Sequence, residues 1–185
     1  MKVKFFLYSL IVSTSIMLVT IINLKPYIPM PIKAPFSALS ADVKKQITCL
    51  AENIYFEAAH EPLEGKKAVA FVTVNRLQSG NYANSICGVV HQKTGSVCQF
   101  SWYCEAHTLA KRLTVKNTSL YNEILELSTY FYLNFENLTD VTNGATFYHA
   151  DYVNPGWNLK KEKQIGRHIF YKSKGDKIDR TKGII

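Results

Sequence analysis

The apolar residues between positions 43 and 58 recur at helical spacing. They lie three or four residues apart, which predicts a helix with one apolar face, and they are Ile47, Leu50, Ala51, Ile54 and Ala58. Ser40 is a suitable N-cap for this helix. Because Pro62 disfavours helical geometry at the residue before it, we expect the helix to end by about Ala59.

Three further helices are predicted along the chain. The second helix should cover residues 63–78 and stop at Gly80, since glycine tolerates the left-handed conformation that ends many helices. A single turn of helix fits residues 85–91, and an irregular loop follows over residues 93–105. The third long helix spans residues 118–134, where apolar positions keep the same period.

Strand-like segments occupy the C-terminal third of the chain. Residues 145–153 (ATFYHADYV) and 164–172 (QIGRHIFYK) are rich in aromatic and β-branched side chains, and an Asn-Pro-Gly turn region separates them. We expect the two segments to pair with each other. The predicted fold class is therefore α+β, mostly helical with a small antiparallel sheet.

The N-terminal residues have a different composition. Residues 5–24 are 20 consecutive uncharged residues, about the length that spans a bilayer, so residues 1–24 are predicted to be a transmembrane signal anchor. Residues 25–40 hold four of the six prolines and suit an extended linker. The folded domain, residues 41–172, is then expected on the periplasmic or outer face of the cytoplasmic membrane, with secretion after signal cleavage as the alternative.

Positive charge is concentrated near the C-terminus. The net charge is +8, and residues 158–185 carry nine basic and three acidic side chains. Residues 173–185 are predicted to be a basic tail that either remains solvated or meets an anionic polymer or lipid. Residues 41–157 are slightly acidic, with 9 basic and 11 acidic side chains, which argues against nucleic-acid binding.

An ionisable residue lies beside the first apolar stripe. Glu57 follows Ile54 by three residues near the end of the predicted helix. Apolar surroundings and the negative end of the helix dipole both raise the pKa of a carboxyl. A carboxyl that keeps its proton near neutral pH can donate it to a leaving oxygen, as glycosidic cleavage requires. The alternative is a half-exposed carboxylate paired with Arg76 or Lys66.

The other polar residues of the first two helices are given structural roles. Glu52, Glu61 and Glu64 are predicted to be solvated surface charges. Asn75 and Arg76 are predicted to buttress the second helix against the first. The alternative is that one of the three glutamates assists the acid.

The cysteine count is compatible with disulfides. The chain has four cysteines, Cys49, Cys87, Cys98 and Cys104, and an even number behind a membrane-targeting segment suits an oxidising compartment. A bond between Cys98 and Cys104 would close a short loop. Sequence spacing alone leaves the pairing open.

Five sequence blocks resemble a known family. IYFEAAHEPLEGKKAVAFVTVNR, ICGVVHQ, CQFSWYC, FYHADYVNPGW and IGRHIFY occur in this order, and they resemble the catalytic domain of the SleB/CwlJ cell wall hydrolase family over roughly residues 49–171. The resemblance implies a lysozyme-like, lytic transglycosylase-like fold that cleaves peptidoglycan glycan strands, with Glu57 as the essential glutamate. It also implies a substrate groove lined by Gln99, Phe100, Ser101, Tyr148 and His149.

One departure from the family pattern affects the acid. The family often has Glu-Ala-Arg-Gly-Glu where residues 57–61 of this chain are Glu-Ala-Ala-His-Glu. The glutamate is kept, but the arginine that would act as its charge partner is absent.

The resemblance also implies a reaction that needs one carboxyl. In a lytic transglycosylase the C6 hydroxyl of N-acetylmuramic acid attacks its own anomeric carbon and forms a 1,6-anhydro end. Glu57 would protonate the glycosidic oxygen and then accept the hydroxyl proton, so no cofactor, metal or second carboxyl is required, unlike in ordinary glycosidases. Because sugar rings pack on aromatic planes, Trp102 and Trp157 are added to the predicted substrate-binding residues. For each aromatic residue taken singly, packing in the core is the more common role.

Two other classes of function stay open at this stage. His149 with Asp151 and His168 is a candidate zinc set, and Cys98 or Cys104 beside His149 is a candidate amidase or peptidase pair. A membrane-tethered, non-catalytic wall-binding protein is the other alternative. We expect a monomer whose partners are peptidoglycan and, through the N-terminal helix, the membrane, in either a bacterium or a phage lysis system.

Overall fold

The computed structural model describes residues 33–184. The predicted signal anchor and the first half of the predicted linker lie outside the described residues, and within residues 33–184 no helix has the length and hydropathy needed to cross a membrane. The helices are α1 (Ala41–Ala58), α2 (Leu63–Ser79), α3 (Ile86–Val90), α4 (Ala106–Thr114) and α5 (Ser119–Asn134). The strands are β1 (Lys93–Thr94), β2 (Val97–Cys98), β3 (Phe147–Ala150), β4 (Lys160–Ile165) and β5 (His168–Lys172).

The central helix of the domain is α1. Its predicted apolar stripe is buried, and Cys49, Glu52 and Asn53 on its other sides are buried as well, because α2, α3 and α5 pack around it. Ser40 caps the helix as predicted, its hydroxyl accepting a hydrogen bond from the backbone N–H of Val43 at 3.4 Å.

The predicted boundaries of the other long helices are confirmed to within one residue. The left-handed Gly80, with a φ of 73°, follows the end of α2. Thr118 caps α5, and its side chain accepts from the backbone N–H of Tyr121 at 3.2 Å. The helix α4 is absent from the sequence-based prediction, since it is only nine residues long and its Leu113 is 77% exposed.

The larger sheet has the antiparallel order β3–β5–β4. The predicted second strand, residues 164–172, is in fact a hairpin, because Gly166 and Arg167 turn the chain between β4 and β5. Glycine permits this tight turn with a φ of 56°. Most of β4 is not predicted from the sequence KKEKQI, because its side chains are mostly polar. Polar side chains suit an exposed edge strand.

The register of β3 and β5 divides this sheet into an inner and an outer face. Tyr148 pairs with Phe170, and His149 pairs with Ile169. Phe170 is fully buried and packs with apolar residues of α2. Since successive side chains of a strand point to opposite faces, Tyr148 belongs to the inner face and His149 to the outer face.

Two disulfides cross-link the folded domain. Cys49–Cys87 links α1 to α3, and Cys98–Cys104 closes the loop before α4. All four cysteines of the chain are therefore paired. The prediction of two disulfides is confirmed, and the cysteine-nucleophile alternative is wrong because no cysteine carries a free thiol.

The C-terminal tail packs on the helices. The Gln78 side chain donates to the carbonyl of Lys182 at 2.8 Å, and the Tyr132 hydroxyl donates to the carbonyl of Ile184 at 3.2 Å. Asp176 is buried. The tail thus packs on the helices at these points, while Lys174, Lys177 and Lys182 stay exposed. Contact of the tail with an anionic polymer or lipid stays a prediction.

Glu52 is a buried charge, which corrects the prediction that it is solvated. Its side chain is 4% exposed, and its two oxygens bind Arg112 Nη2 at 2.8 Å and Lys116 Nζ at 2.9 Å. Arg112 belongs to α4 and Lys116 to the turn after it. This carboxylate therefore fastens α4 to α1.

We expect Glu52→Gln to lower the free energy of unfolding by about 2–3 kcal/mol, less than for a fully buried pair because Arg112 and Lys116 are partly exposed. Urea unfolding at neutral pH measures the change. The matched control is Glu64→Gln, which breaks the exposed pair between Glu64 and Lys67 at 2.9 Å and should cost less than about 0.5 kcal/mol. Equal losses in the two variants would contradict the role given to Glu52.

Candidate active site

Glu57 lies in the last turn of α1 at the edge of a cavity. The cavity has a volume of about 520 Å³, and its walls include Lys111 of α4 and Val115 after it. The Tyr148 hydroxyl donates a hydrogen bond to Glu57 Oε2 at 2.9 Å. This bond connects the end of the central helix to the inner face of the sheet.

Burial raises the pKa of Glu57 above its ordinary value of 4.5. The hydrogen bond from Tyr148 and the positive charge of Arg76 lower the pKa by smaller amounts, and the negative charge of Glu105 raises it further. Desolvation is the largest effect, so the acid form is favoured. The direction predicted from the sequence is confirmed.

The alternative in which Glu57 forms an ordinary salt bridge is wrong. The Lys66 ammonium donates to the backbone carbonyl of Glu61 at 2.6 Å. Arg76 Nε donates to the carbonyl of Thr146 at 2.8 Å. Arg76 therefore acts on Glu57 through space rather than by direct contact.

Arg76 is the buried cation of the site. It is 5% exposed, and its guanidinium carbon lies 4.7 Å from the centre of the Phe100 ring and 5.4 Å from that of Tyr82. Arg76 contacts the segment that enters β3, which corrects its predicted role between α2 and α1. It provides the positive charge that residues 57–61 lack. The sequence signal for this role is the position of a basic residue among the apolar residues of α2.

The segment before β3 is held from two directions. The Thr146 hydroxyl donates to the Asp176 carboxylate, which also accepts from the side chain of Asn81 at 3.0 Å. Asn75 donates to the carbonyl of Ala145 at 2.9 Å, so it fixes α2 to this segment and not to α1 as predicted. The position of β3, and of the donor to the acid, depends on these bonds.

Two aromatic residues predicted to line the groove are buried in the core. Trp102 is 3% exposed, its Nε1 donates to the side-chain oxygen of Asn53 at 2.9 Å, and its ring stacks on Phe56 with the centroids 4.7 Å apart. Phe56 in turn lines the cavity beside Glu57. Phe100 is 2% exposed. Trp102 and Phe100 thus support the site from the core, which corrects their predicted place on the groove surface.

The predicted polar groove residues stand apart from the cavity. Ser101 is exposed, and the Gln99 side chain donates to the Thr94 hydroxyl at 3.3 Å. Neither residue lines the cavity. The polar and aromatic residues that do line it, beside Glu57, are absent from the predicted site residues and are Tyr55, Phe56, His60, Glu61 and Lys111. Contact of Gln99 and Ser101 with a substrate stays a prediction.

The residues considered as a zinc set do not come together. His149 lies on the outer face of the sheet, whereas the His168 ring lies on the inner face, 5.1 Å from the Tyr148 ring. Asp151 pairs with Arg167 at 3.3 Å. Across residues 33–184 no group of three histidine, cysteine, aspartate or glutamate side chains is arranged to hold a metal ion.

The last predicted site residue, Trp157, also lies on the outer face. It lines a smaller cavity of about 260 Å³ together with His149. The predicted substrate-binding residues therefore divide between two places. Tyr148 meets Glu57 on the inner face, while His149 and Trp157 form a separate cluster.

Comparison with known proteins shows what the chain resembles. Residues 60–171 match a family described as Cell Wall Hydrolase, and Glu57 lies just before the matched segment. The chain is 30% identical over 129 residues to the spore cortex-lytic enzyme of Halalkalibacterium halodurans, covering 67% of this chain and 34% of that protein. It is 29% identical over 131 residues to the spore cortex-lytic enzyme of Bacillus subtilis, covering 67% and 36%. The chain thus spans about a third of the length of these relatives.

Two solved structures share the fold. The catalytic domain of the Bacillus cereus SleB protein superposes with a TM-score of 0.51 at 20% identity, covering 81% of this chain and 99% of that one. The catalytic domain of the germination-specific lytic transglycosylase SleB from Bacillus anthracis gives 0.52 at 23% identity, covering 75% and 100%. The likeness confirms the predicted α+β fold of the folded domain.

The raised pKa of Glu57 predicts a pH-dependent cost to stability. The folded state binds more protons than the unfolded state between pH 4.5 and the raised pKa, so the free energy of unfolding falls as pH rises through this window. Glu57→Gln removes the cost, at about 1.4 kcal/mol for each unit of the shift. We expect this variant to be more stable than the parent at neutral pH and equal to it near pH 3.

Urea unfolding of both proteins between about pH 3 and 8 measures this difference. The exposed Glu64→Gln is the matched control, and its effect should be small throughout. A Glu57→Gln variant that becomes less stable than the parent as pH rises would show that Glu57 is stabilised as the carboxylate.

Proposed function

Because the chain belongs to the cell wall hydrolase family of the SleB/CwlJ type, we propose that it cleaves peptidoglycan glycan strands between N-acetylmuramic acid and N-acetylglucosamine. The observation that carries the proposal is the state of Glu57. Its carboxyl has a raised pKa, borders a cavity of about 520 Å³ and accepts a hydrogen bond on one oxygen. These are the properties of a general acid.

The hydrogen bond from Tyr148 determines where the acidic proton resides. The phenol donates to Oε2, so in the acid form the carboxyl proton belongs on Oε1, and the proposed reaction assigns proton donation to that oxygen. Burial raises the pKa of Tyr148 well above 10, so the phenol keeps its proton throughout the neutral range. One donor therefore holds the acid in a single orientation.

In the proposed reaction Glu57 donates one proton and later accepts another. Glu57 protonates the glycosidic oxygen as the bond from the anomeric carbon to that oxygen breaks. The C6 hydroxyl of the same muramic acid residue then forms a bond to the anomeric carbon, and its proton returns to the Glu57 carboxylate. The products are a 1,6-anhydro end and a free hydroxyl on the leaving sugar, and the acid is regenerated.

Two groups stabilise the charge that this reaction creates on Glu57. The hydrogen bond from Tyr148 strengthens when its acceptor becomes a carboxylate, and the Arg76 charge favours the same form. Both interactions are larger in the transition state, where negative charge develops, than in the protonated ground state. They lower the barrier for that reason.

The surroundings of Glu57 favour a mechanism with one carboxyl. Glu61 is the other carboxyl lining the cavity, and its Oε2 accepts the backbone N–H of Arg167 at 3.0 Å. Glu61 is therefore engaged in holding the hairpin turn, which differs from the free surface charge predicted for it. Internal attack by the substrate hydroxyl needs no second carboxyl.

We also propose that the domain works outside the cytoplasm, held by the apolar segment at residues 5–24. The support is the pair of disulfides, Cys49–Cys87 and Cys98–Cys104, which form and persist in oxidising compartments. The length of the apolar segment supports the anchor.

Mass spectrometry of the fragments released from purified peptidoglycan by the full chain tests the proposed function. We expect fragments that end in 1,6-anhydromuramic acid. Glu57→Gln should reduce their rate of release by about 10²–10⁴, since it removes the general acid. The exposed Glu64→Gln should release them at the parent rate.

Other products would redirect the assignment. Ordinary reducing ends would indicate hydrolysis by a positioned water instead of internal attack. Cleaved stem peptides, or a Glu57→Gln variant as active as the parent, would contradict the role of Glu57. Binding to peptidoglycan without release of fragments would identify a non-catalytic wall-binding protein.

A further inference from the structure

The outer face of the sheet carries a pocket of its own. The outer pocket, as we name it, has a volume of about 260 Å³ and is formed by the loop of residues 153–157 and by His149, Ile169 and Tyr171. Trp157 at its rim is 41% exposed. An exposed tryptophan beside a cavity is unusual for a residue whose role is core packing.

The outer pocket is separated from Glu57 by the sheet. His149 and Ile169 form a cross-strand pair on the outer face, while the neighbouring pair, Tyr148 and Phe170, faces inward. Tyr148 is the residue that binds Glu57. The outer pocket and the cavity beside Glu57 have no lining residue in common.

The aromatic walls of the outer pocket are fixed in place. The His149 and Tyr171 rings stack with centroids 5.2 Å apart and 24° between their planes. The Trp157 ring meets both edge-on, at 5.5 Å and 5.9 Å. Such ring pairs add to the stability of the arrangement.

Hydrogen bonds also fix the His149 and Tyr171 rings. His149 Nδ1 lies 2.8 Å from the carbonyl of Ala150 and His149 Nε2 lies 3.0 Å from the Tyr171 hydroxyl. A carbonyl can only accept, so Nδ1 carries a hydrogen, and the second hydrogen bond joins Nε2 to the phenol. The pocket is thus preorganised, which lowers the entropic cost of binding.

The chemistry of the outer pocket suits one sugar ring. Exposed aromatic surface packs against the apolar face of a pyranose. The outer pocket has a smaller volume than the roughly 300–1,000 Å³ of pockets that bind larger ligands. Lys161, exposed on the edge strand, pairs with Tyr171 in the register of the sheet, so positive charge lies beside the pocket. A glycan that carries carboxylates therefore fits better than a neutral one.

We propose that the outer pocket is a second saccharide site, which holds a sugar of the peptidoglycan strand outside the catalytic groove. The choice of peptidoglycan as the occupant rests on the proposed function. Two sites on one polymer raise the effective concentration of substrate at the second site once the first is occupied. The outer pocket therefore increases retention on the intact wall more than it affects cleavage of a short fragment.

The test compares Trp157→Ala with Tyr152→Ala in the full chain. Tyr152 is 78% exposed and lies outside the outer pocket, so it is a matched aromatic control. Sedimentation with insoluble peptidoglycan measures binding. Cleavage rates are measured on insoluble peptidoglycan and on a soluble tetrasaccharide fragment, and the first rate is divided by the second. We expect Trp157→Ala to weaken binding and to lower this ratio by on the order of tenfold, with Tyr152→Ala like the parent and Trp157→Phe restoring most of the binding.

Each result decides the proposal. Unchanged binding by Trp157→Ala would overturn it. Equal losses on polymer and fragment would place Trp157 in the catalytic groove and would also overturn it. Failure of the proposed function is recognised separately, because a protein that releases no glycan fragments still reports through sedimentation whether Trp157 binds the wall.

Discussion

The hydrogen bond from Tyr148 to Glu57 is the interaction on which the site depends. It spans from the last turn of the central helix to the inner face of the sheet, at 2.9 Å. A half-buried carboxyl held by a single neutral donor keeps its proton more readily than one paired with a cation. The surrounding structure keeps this donor in place and keeps the positive charge of Arg76 at a distance.

The two walls of the cavity beside Glu57 are both positioned by α1. Asn53 fixes Trp102, on which Phe56 stacks, and Glu52 fastens α4 on the far side of the cavity. Residues 52–57 thus supply the acid, a wall of its cavity and the attachment of the opposite wall. The C-terminal half of α1 can do this because its different sides face different partners. The buried polar groups of α1 are explained by this arrangement.

Much of the fold could be predicted from the sequence because local patterns determine it. The periodic apolar residues of α1, α2 and α5 and the caps Ser40 and Thr118 are local signals, and the structure agrees with them. The strand β4 has no such pattern because it is a polar edge strand, and the apolar period of α4 runs over only nine residues without a side-chain cap. Their positions depend on tertiary contacts that spacing does not encode.

The candidate site was predictable to a smaller extent. Glu57 was identifiable because a carboxyl beside an apolar stripe is unusual, but Arg76 acts on it through space and only the packed structure brings them near each other. The burial of Trp102 is not predictable from spacing, because it follows from contacts such as the one with Asn53, 49 residues earlier in the chain. By contrast, the separation of Tyr148 from His149 was available in the sequence, because neighbouring residues of a strand must face opposite sides.

The central claim is that burial raises the pKa of Glu57 while the hydrogen bond from Tyr148 lowers it by a smaller amount. An NMR titration of the Glu57 carboxyl carbon tests this claim most directly. The resonance is assigned by its absence in Glu57→Gln. The account predicts a midpoint above the ordinary 4.5 in the parent and a higher midpoint in Tyr148→Phe, since that variant loses the hydrogen bond that lowers the pKa. A parent midpoint at or below 4.5, or a downward shift in Tyr148→Phe, would contradict it.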